Sequence, residues 1–159
     1  MEEIYIAGGC LWGVQHFFRF IDGVEKTEAG RINGSTTSLD SDYDGYAECV
    51  RVLFDKSKIS VTNLVEYLFE IIDPYSLNKQ GRDVGEKYRT GIYSKQAEHL
   101  EEARNYINSR VDSQFIKVEV KEVSNYIKSA EEHQDRLFRC PEDVSYCHLP
   151  MQLMEKYKK

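Results

Sequence analysis

Apolar and polar positions alternate along this chain with two different periods, and the switches between them mark the predicted elements. Ile4-Tyr5-Ile6-Ala7 is a short β-compatible run closed by Gly8-Gly9. Leu11, Val14, Phe17, Phe18 and Ile21 then recur at helical spacing until Asp22-Gly23, which predicts a strand, a glycine turn and a helix. Val24 to Ile32 has strand propensity, and Asn33 to Gly45 is a polar loop rich in Ser, Thr, Asp and Gly. From Glu48 to Phe54, Glu48, Val50, Val52 and Phe54 share one parity and Cys49, Arg51 and Leu53 the other. This is a strand with one apolar face, and a carboxyl group begins that face.

Ser60 predicts the cap of a helix from Val61 to Ile72, whose apolar stripe is ended by Asp73-Pro74. Tyr75 to Lys87 is a long polar loop. Tyr88 to Tyr93 predicts a strand, and Leu100, Ala103 and Ile107 mark the stripe of a helix from Lys95 to Arg110. Ile116, Val118 and Val120 alternate as a strand, a short helix covers Ala130 to Phe138, and a tail follows around Pro141 and Pro150. Strands and helices mix without strict βαβ alternation. The pattern therefore predicts an α+β, ferredoxin-like α/β sandwich with an irregular C-terminal tail. With no internal repeat, low-complexity stretch or linker, residues 1–159 read as one domain, long enough to bury a core without staples.

Composition narrows the function. The 27 Asp and Glu exceed the 21 Lys and Arg, and no basic stripe exists to neutralise phosphates, which argues against a nucleic-acid partner. No stretch approaches the roughly 18 apolar residues of a membrane span. The opening residues carry Glu2 and Glu3 where a secretory signal wants base, so the expectation is a cytoplasmic protein away from membranes. The four cysteines, Cys10, Cys49, Cys140 and Cys147, are then expected as thiols.

Cys10 follows two glycines at a strand-to-helix junction, where free N–H groups and the positive end of the helix dipole favour a thiolate nucleophile. The alternative is a buried structural cysteine beside a tight turn. Trp12, the single tryptophan, can wall the sulfur or serve as core. Glu48 faces the apolar side of its strand, where desolvation raises a carboxyl pKa and leaves a proton to donate; the alternative is a strand end that reaches water. Asp83 and Tyr88 lie in the long loop, as functional groups or as surface hydrogen bonders. His16, His99, His133 and His148 are scattered without zinc-ligand spacing, so no metal site is expected. Cys147 stands in the tail, where it can reach a distant sulfur or be an unremarkable thiol. Cys49 points away from Glu48.

These residues resemble peptide-methionine sulfoxide reductase of type A. The resemblance rests on Gly8-Gly9-Cys10-Leu11-Trp12-Gly13-Val14, Gly45-Tyr46-Ala47-Glu48, Asp73-Pro74, Asn78-Lys79-Gln80-Gly81-Arg82-Asp83-Val84-Gly85 with Tyr88-Arg89-Thr90, Ala130-Glu131-Glu132-His133-Gln134, and Tyr146-Cys147-His148-Leu149. It covers nearly the whole chain. It implies reduction of the S epimer of methionine sulfoxide, free or in oxidised proteins, as repair of oxidative damage. Cys10 would be the nucleophile that becomes a sulfenic acid and Glu48 the general acid. Asp83 and Tyr88 would orient substrate and polarise the S–O bond, with Leu11 and Trp12 beside its methyl group. Cys147 would resolve the intermediate as a disulfide, and thioredoxin, glutaredoxin or another dithiol would recycle it without a bound cofactor.

Four positions depart from the family pattern. Leu11 replaces the usual phenylalanine, Tyr46 replaces a histidine, and Cys140 before Pro141 replaces an asparagine and could compete with Cys147. The loop from Asn33 to Asp44 is shortened and lacks an Asn-Pro-Thr-Tyr segment, which leaves Tyr43 as the nearest substitute for its substrate-binding tyrosine. Two other readings stay open: a thiol peroxidase, and a non-enzymatic ferredoxin-like ligand-binding module.

Overall fold

The computed structural model describes residues 1–158. In chain order its elements are β1 (Glu2–Gly8), α1 (Leu11–Phe18), β2 (Val24–Ile32), β3 (Ala47–Phe54), α2 (Val61–Ile71), β4 (Lys79–Gln80), β5 (Asp83–Val84) and β6 (Thr90–Ser94). They continue with α3 (Ala97–Ser109), β7 (Glu119–Glu122), β8 (Tyr126–Lys128), α4 (Arg136–Arg139) and α5 (Met151–Met154). The fold is mixed α+β. Six strands form one sheet in the order β7-β6-β1-β3-β2-β8, antiparallel except where β7 runs parallel to β6.

Strand alternation decides where the core sits. Even-numbered Ile4 and Ile6 of β1 join Val50, Val52 and Phe54 of β3 on the face that receives the helices. Val14, Phe17 and Phe18 of α1, Leu64, Val65 and Leu68 of α2, and Ala103 of α3 pack there. The odd-numbered Tyr5 and Ala7 turn to the other face and meet Ala47, Cys49 and Tyr93 in a smaller cluster. Each buried Leu, Ile, Val or Phe contributes about 1.5–3 kcal/mol, so the helical face supplies most of the stability.

Several predicted boundaries move, each for a local reason. The apolar stripe after Cys10 runs to Ile21, but α1 ends at Phe18 and the stripe continues on tightened turns, Phe20 N–H to Phe17 O and Ile21 N–H to Phe18 O. Ser60 does cap α2, accepting from Asn63 N at 3.0 Å in a reciprocal box. The long loop after α2 is not structureless. Gln80 clamps it by accepting from Asp73 N at 2.8 Å and donating to Asp73 O at 2.9 Å, and β4 and β5 pair antiparallel beyond it. Tyr88 belongs to a 3₁₀ turn, and the strand begins only at Thr90.

The predicted strand around Ile116 is displaced to β7, and β8 was not anticipated. The predicted helix from Ala130 to Phe138 is broken in the middle. Gln134 lies extended there and Asp135 is left-handed at φ 50°, because the Gln134 amide pairs with the backbone of β2 in both directions. Those two bonds, 2.8 Å from Ala29 N and 2.9 Å to Ala29 O, replace a turn of helix with a tie to the sheet. The C-terminal tail is also less irregular than expected. It is a run of short helical turns that inserts Leu137, Cys147, Leu149 and Met154 into the helical-face core.

Candidate active site

A pocket of about 200 Å³ opens where β1 hands over to α1, lined among others by Cys10, Leu11, Trp12, Glu48, Asp83 and Tyr88. Gly9, at φ +91°, makes the turn that brings Cys10 to the N-cap of α1. The first free N–H of that helix is not left to water. Leu11 N–H donates to Glu48 Oε1 at 3.2 Å, so the carboxyl that heads the apolar face of β3 serves the helix end and sits one residue from Cys10.

Electrostatics divides the roles. Burial is the largest influence on Glu48 and pushes its pKa up to about 7, against the Leu11 N–H and Lys87, which favour the ionised form. Tyr88 is raised to about 12 by desolvation and by the charges of Glu48 and Asp83, so its hydroxyl remains a donor at neutral pH. Trp12 is braced by two neighbours: Nε1–H donates to His133 Nδ1 at 3.1 Å, and the Arg136 guanidinium lies 5.2 Å from its ring.

Cys147 comes into contact with Cys10. The neighbouring Cys147 side chain is the largest influence raising Cys10, with burial second, and Cys10 in turn lowers Cys147, whose thiolate is also favoured by His148. This corrects the expectation of a resting Cys10 thiolate. The Trp12 N–H does favour charge at Cys10, as the helix start predicts, but the neighbouring sulfur and desolvation outweigh it. Cys147 reaches this place because α1 carries Gly13 there; a Cβ on Gly13 would stand 2.6 Å from Cys147 Sγ. Cys140 instead marks the end of α4, and Cys49 is buried on the far face of the sheet.

Asp83 lines the pocket, and its Oδ2 accepts from His148 Nδ1 at 2.9 Å. Tyr43 is not brought to the pocket lining. It is 48% exposed and its hydroxyl donates to Tyr46 O at 2.8 Å, while its ring packs on Tyr46. Tyr46 itself takes the wall, with the Arg31 guanidinium 4.5 Å from its ring. Sequence reasoning passed over Tyr46, Arg31, Ser129, His133 and Tyr146, which also line the pocket. Two were readable. Tyr46 shares the parity of Glu48, and Arg31 is the cross-strand partner of Glu48 in β2.

A pocket thiol with a second thiol beside it, a carboxyl whose pKa is raised to about 7 and a tyrosine donor define a thiol-dependent redox centre. A family model described as peptide methionine sulfoxide reductase matches residues 2–159, and the chain belongs to that family. It is 41% identical over 161 residues to a peptide methionine sulfoxide reductase MsrA of Clostridium perfringens, covering 95% of this chain and 99% of that one. With the MsrA of Mycoplasma genitalium it shares 39% over 162 residues, covering 94% and 98%. Among solved structures it resembles methionine sulfoxide reductase A of Corynebacterium diphtheriae, with TM-score 0.76, 26% identity and coverage of 88% and 75%. The fold is also that of Mxr1 from Saccharomyces cerevisiae in reduced form, at TM-score 0.84, 24% identity and coverage of 94% and 91%.

Proposed function

We propose that this chain reduces the S epimer of methionine sulfoxide, free or in oxidised proteins, to methionine. The observation that carries the reading is Glu48: it bonds the first N–H of α1 beside Cys10 and holds its proton to about pH 7. A carboxyl that is still an acid at that place can protonate an oxygen that is gaining charge.

Cys10 Sγ attacks the substrate sulfur while its own proton passes to the neighbouring Cys147 thiolate. Glu48 gives its proton to the sulfoxide oxygen, and Tyr88 donates to the same atom. The S–O bond breaks, the oxygen leaves on Cys10 as a sulfenic acid, and methionine departs, its sulfur reduced by two electrons as Cys10 is oxidised by two. Leu11 and Trp12 supply the apolar wall for the methyl group. Tyr46 takes the wall position that Tyr43 does not occupy.

Cys147 then condenses with the sulfenic acid, releasing water and closing a disulfide. Thioredoxin, glutaredoxin or another dithiol returns both thiols by exchange, so no bound cofactor enters the cycle. A ferredoxin-like plait at the centre of the chain fits the order β6-β1-β3-β2 with α1 and α2 on one face.

The test is one incubation without reductant, using each sulfoxide epimer in turn, followed by mass spectrometry. One methionine per chain from the S epimer and a Cys10–Cys147 disulfide are expected. Consumption of hydrogen peroxide with no methionine formed would move the site to the thiol peroxidase reading.

A further inference from the structure

Beside the two thiols lies the buried His148 ring, which the reduction step leaves unused. Its side chain is 5% exposed, and Asp83, 13% exposed, takes its Nδ1–H at 2.9 Å. That bond makes Nε2 the nitrogen that titrates, and although burial disfavours the protonated ring, the Cys147 side chain and Asp83 outweigh it and raise the His148 pKa, which makes the ring a better base. Nε2 is buried and has no hydrogen-bond partner of ordinary geometry among the described residues. The side chain that acts on this buried nitrogen is the thiol of Cys147, the residue before it in sequence.

The ring's seat is built around the nucleophile loop. A Cβ on Gly9, next to Cys10, would stand 2.6 Å from His148 Cε1, and one on Gly81 would stand 3.1 Å from His148 Cβ. Two glycines therefore admit this imidazole between the Cys10 turn and the β4-β5 hairpin. The arrangement has the logic of an activated nucleophile: a thiol, a base beside it, and a carboxylate that orients the base.

We propose that His148, oriented by Asp83, is the general base that activates Cys147 for closure of the disulfide. The inference rests on the sulfenic-acid reading above. After reduction Cys147 holds the proton it received from Cys10, and a thiol is a poor nucleophile. His148 Nε2 takes that proton, the Cys147 sulfur attacks the Cys10 sulfur, and the S–O bond of the sulfenic acid breaks. The leaving hydroxide accepts the proton from His148 and departs as water. Cys147 is oxidised by one electron and Cys10 reduced by one, so the step balances with no further reagent.

The groups facing this pair are few. Asp83 and Cys147 act on His148, while Cys10, His148 and the Leu149 N–H act on Cys147. Arg82 reaches only the Cys147 carbonyl, at 3.4 Å. A free cysteine of pKa about 8.5 is only a few per cent thiolate near pH 7. Allowing for the weaker nucleophilicity of a more acidic thiol, loss of the base slows closure about tenfold.

The experiment mixes the full chain, or its His148→Ala variant, with methionine sulfoxide and no reductant. Methionine is quantified, sulfenic acid is trapped with dimedone, and the disulfide is followed by mass. The variant should still form one methionine per chain, accumulate trappable sulfenic acid near pH 7, and close the disulfide about tenfold more slowly. Added imidazole should restore closure, and so should raising the pH above about 8.5. Closure at the parent rate, or slow closure that imidazole does not restore, overturns the proposal.

If the variant does not fold, the pH profile of closure in the parent chain decides. A rate already at its plateau by about pH 7 supports the base, and a rate that climbs tenfold per pH unit to about 8.5 overturns it. Absence of methionine from the parent chain removes the reductase reading itself, and this inference with it.

Discussion

The two neighbouring cysteines, Cys10 and Cys147, are held by opposite kinds of support. Cys10 leaves a central strand of a six-stranded sheet and starts α1, so its backbone is fixed by ladder pairs such as Ile6 with Val50 and with Ile92 just before it. Cys147 belongs to no strand: its N–H bonds Val144 O at 3.0 Å, its carbonyl takes one long bond from Arg82 at 3.4 Å, and its side chain inserts into the core. Its neighbour Tyr146 is 70% exposed. One sulfur is placed by the sheet and the other chiefly by packing. Removing the first should therefore destroy the chemistry, whereas disturbing the seat of the second should leave the yield of methionine per chain and slow the later closure of the disulfide.

The largest effect tests the sheet side directly. Cys10→Ser should abolish methionine formation, measured as product per chain without reductant. Retained turnover would show that Cys147, Cys140 or Cys49 is the nucleophile and would erase the contrast.

Glu48→Gln should come next. General-acid groups contribute about 10²–10⁴-fold, so a loss of at least about 10²-fold in the single-turnover rate is expected. The sign with pH is set by the raised pKa. The parent enzyme works with Glu48 protonated, so its rate falls as pH rises through about 7. The Gln variant should lose that falling limb. A variant that keeps the same limb would place the acid elsewhere, with Tyr88, which titrates only near 12, a poor substitute.

Gly13→Ala sharpens the comparison on the tail side. In a helix interior Ala is favoured over Gly by up to about 1 kcal/mol, which alone would stabilise α1. Here the added Cβ would stand 2.6 Å from Cys147 Sγ and 2.9 Å from Leu149 Cδ1. The expected outcome is an unchanged yield of one methionine per chain with disulfide closure several-fold slower, monitored by alkylation and mass. Unaltered closure would mean that Cys147 does not need this seat to react.

Legibility in the sequence divides along the same line. The sheet side was legible because local patterns carry it: strand parity turned Glu48 inward, the glycine pair before a helical stripe placed Cys10, and Ser60 announced α2. The tail side was not. That Asp83 would meet His148, 65 positions away, or that Gln134 would tie itself to Ala29, depends on packing between distant segments with no periodic signal. The resting charge on the cysteine pair was misread for a related reason. A helix start predicts a low pKa for an isolated thiol, and the effect of a second thiol packed beside it follows only from the folded arrangement.

Tyr43 supplies the smallest and narrowest test. Position in a shortened loop made it the nearest substitute for a tyrosine of the family pattern, yet its hydroxyl is already committed to the Tyr46 carbonyl at 2.8 Å. Tyr46 and Tyr43 pack with ring centroids 4.9 Å apart, so the outer ring steadies the inner one without facing the substrate. Tyr43→Phe keeps that ring contact and removes one exposed hydrogen bond, worth about 0.5–1.5 kcal/mol at most. The single-turnover rate should change by less than about twofold, since this hydroxyl stabilises no charge in the transition state. Tyr46→Phe in parallel gives the scale for a residue on the wall itself. A tenfold or larger fall for Tyr43→Phe would show that the loop turns inward when substrate binds. The site would then have a second region placed chiefly by packing.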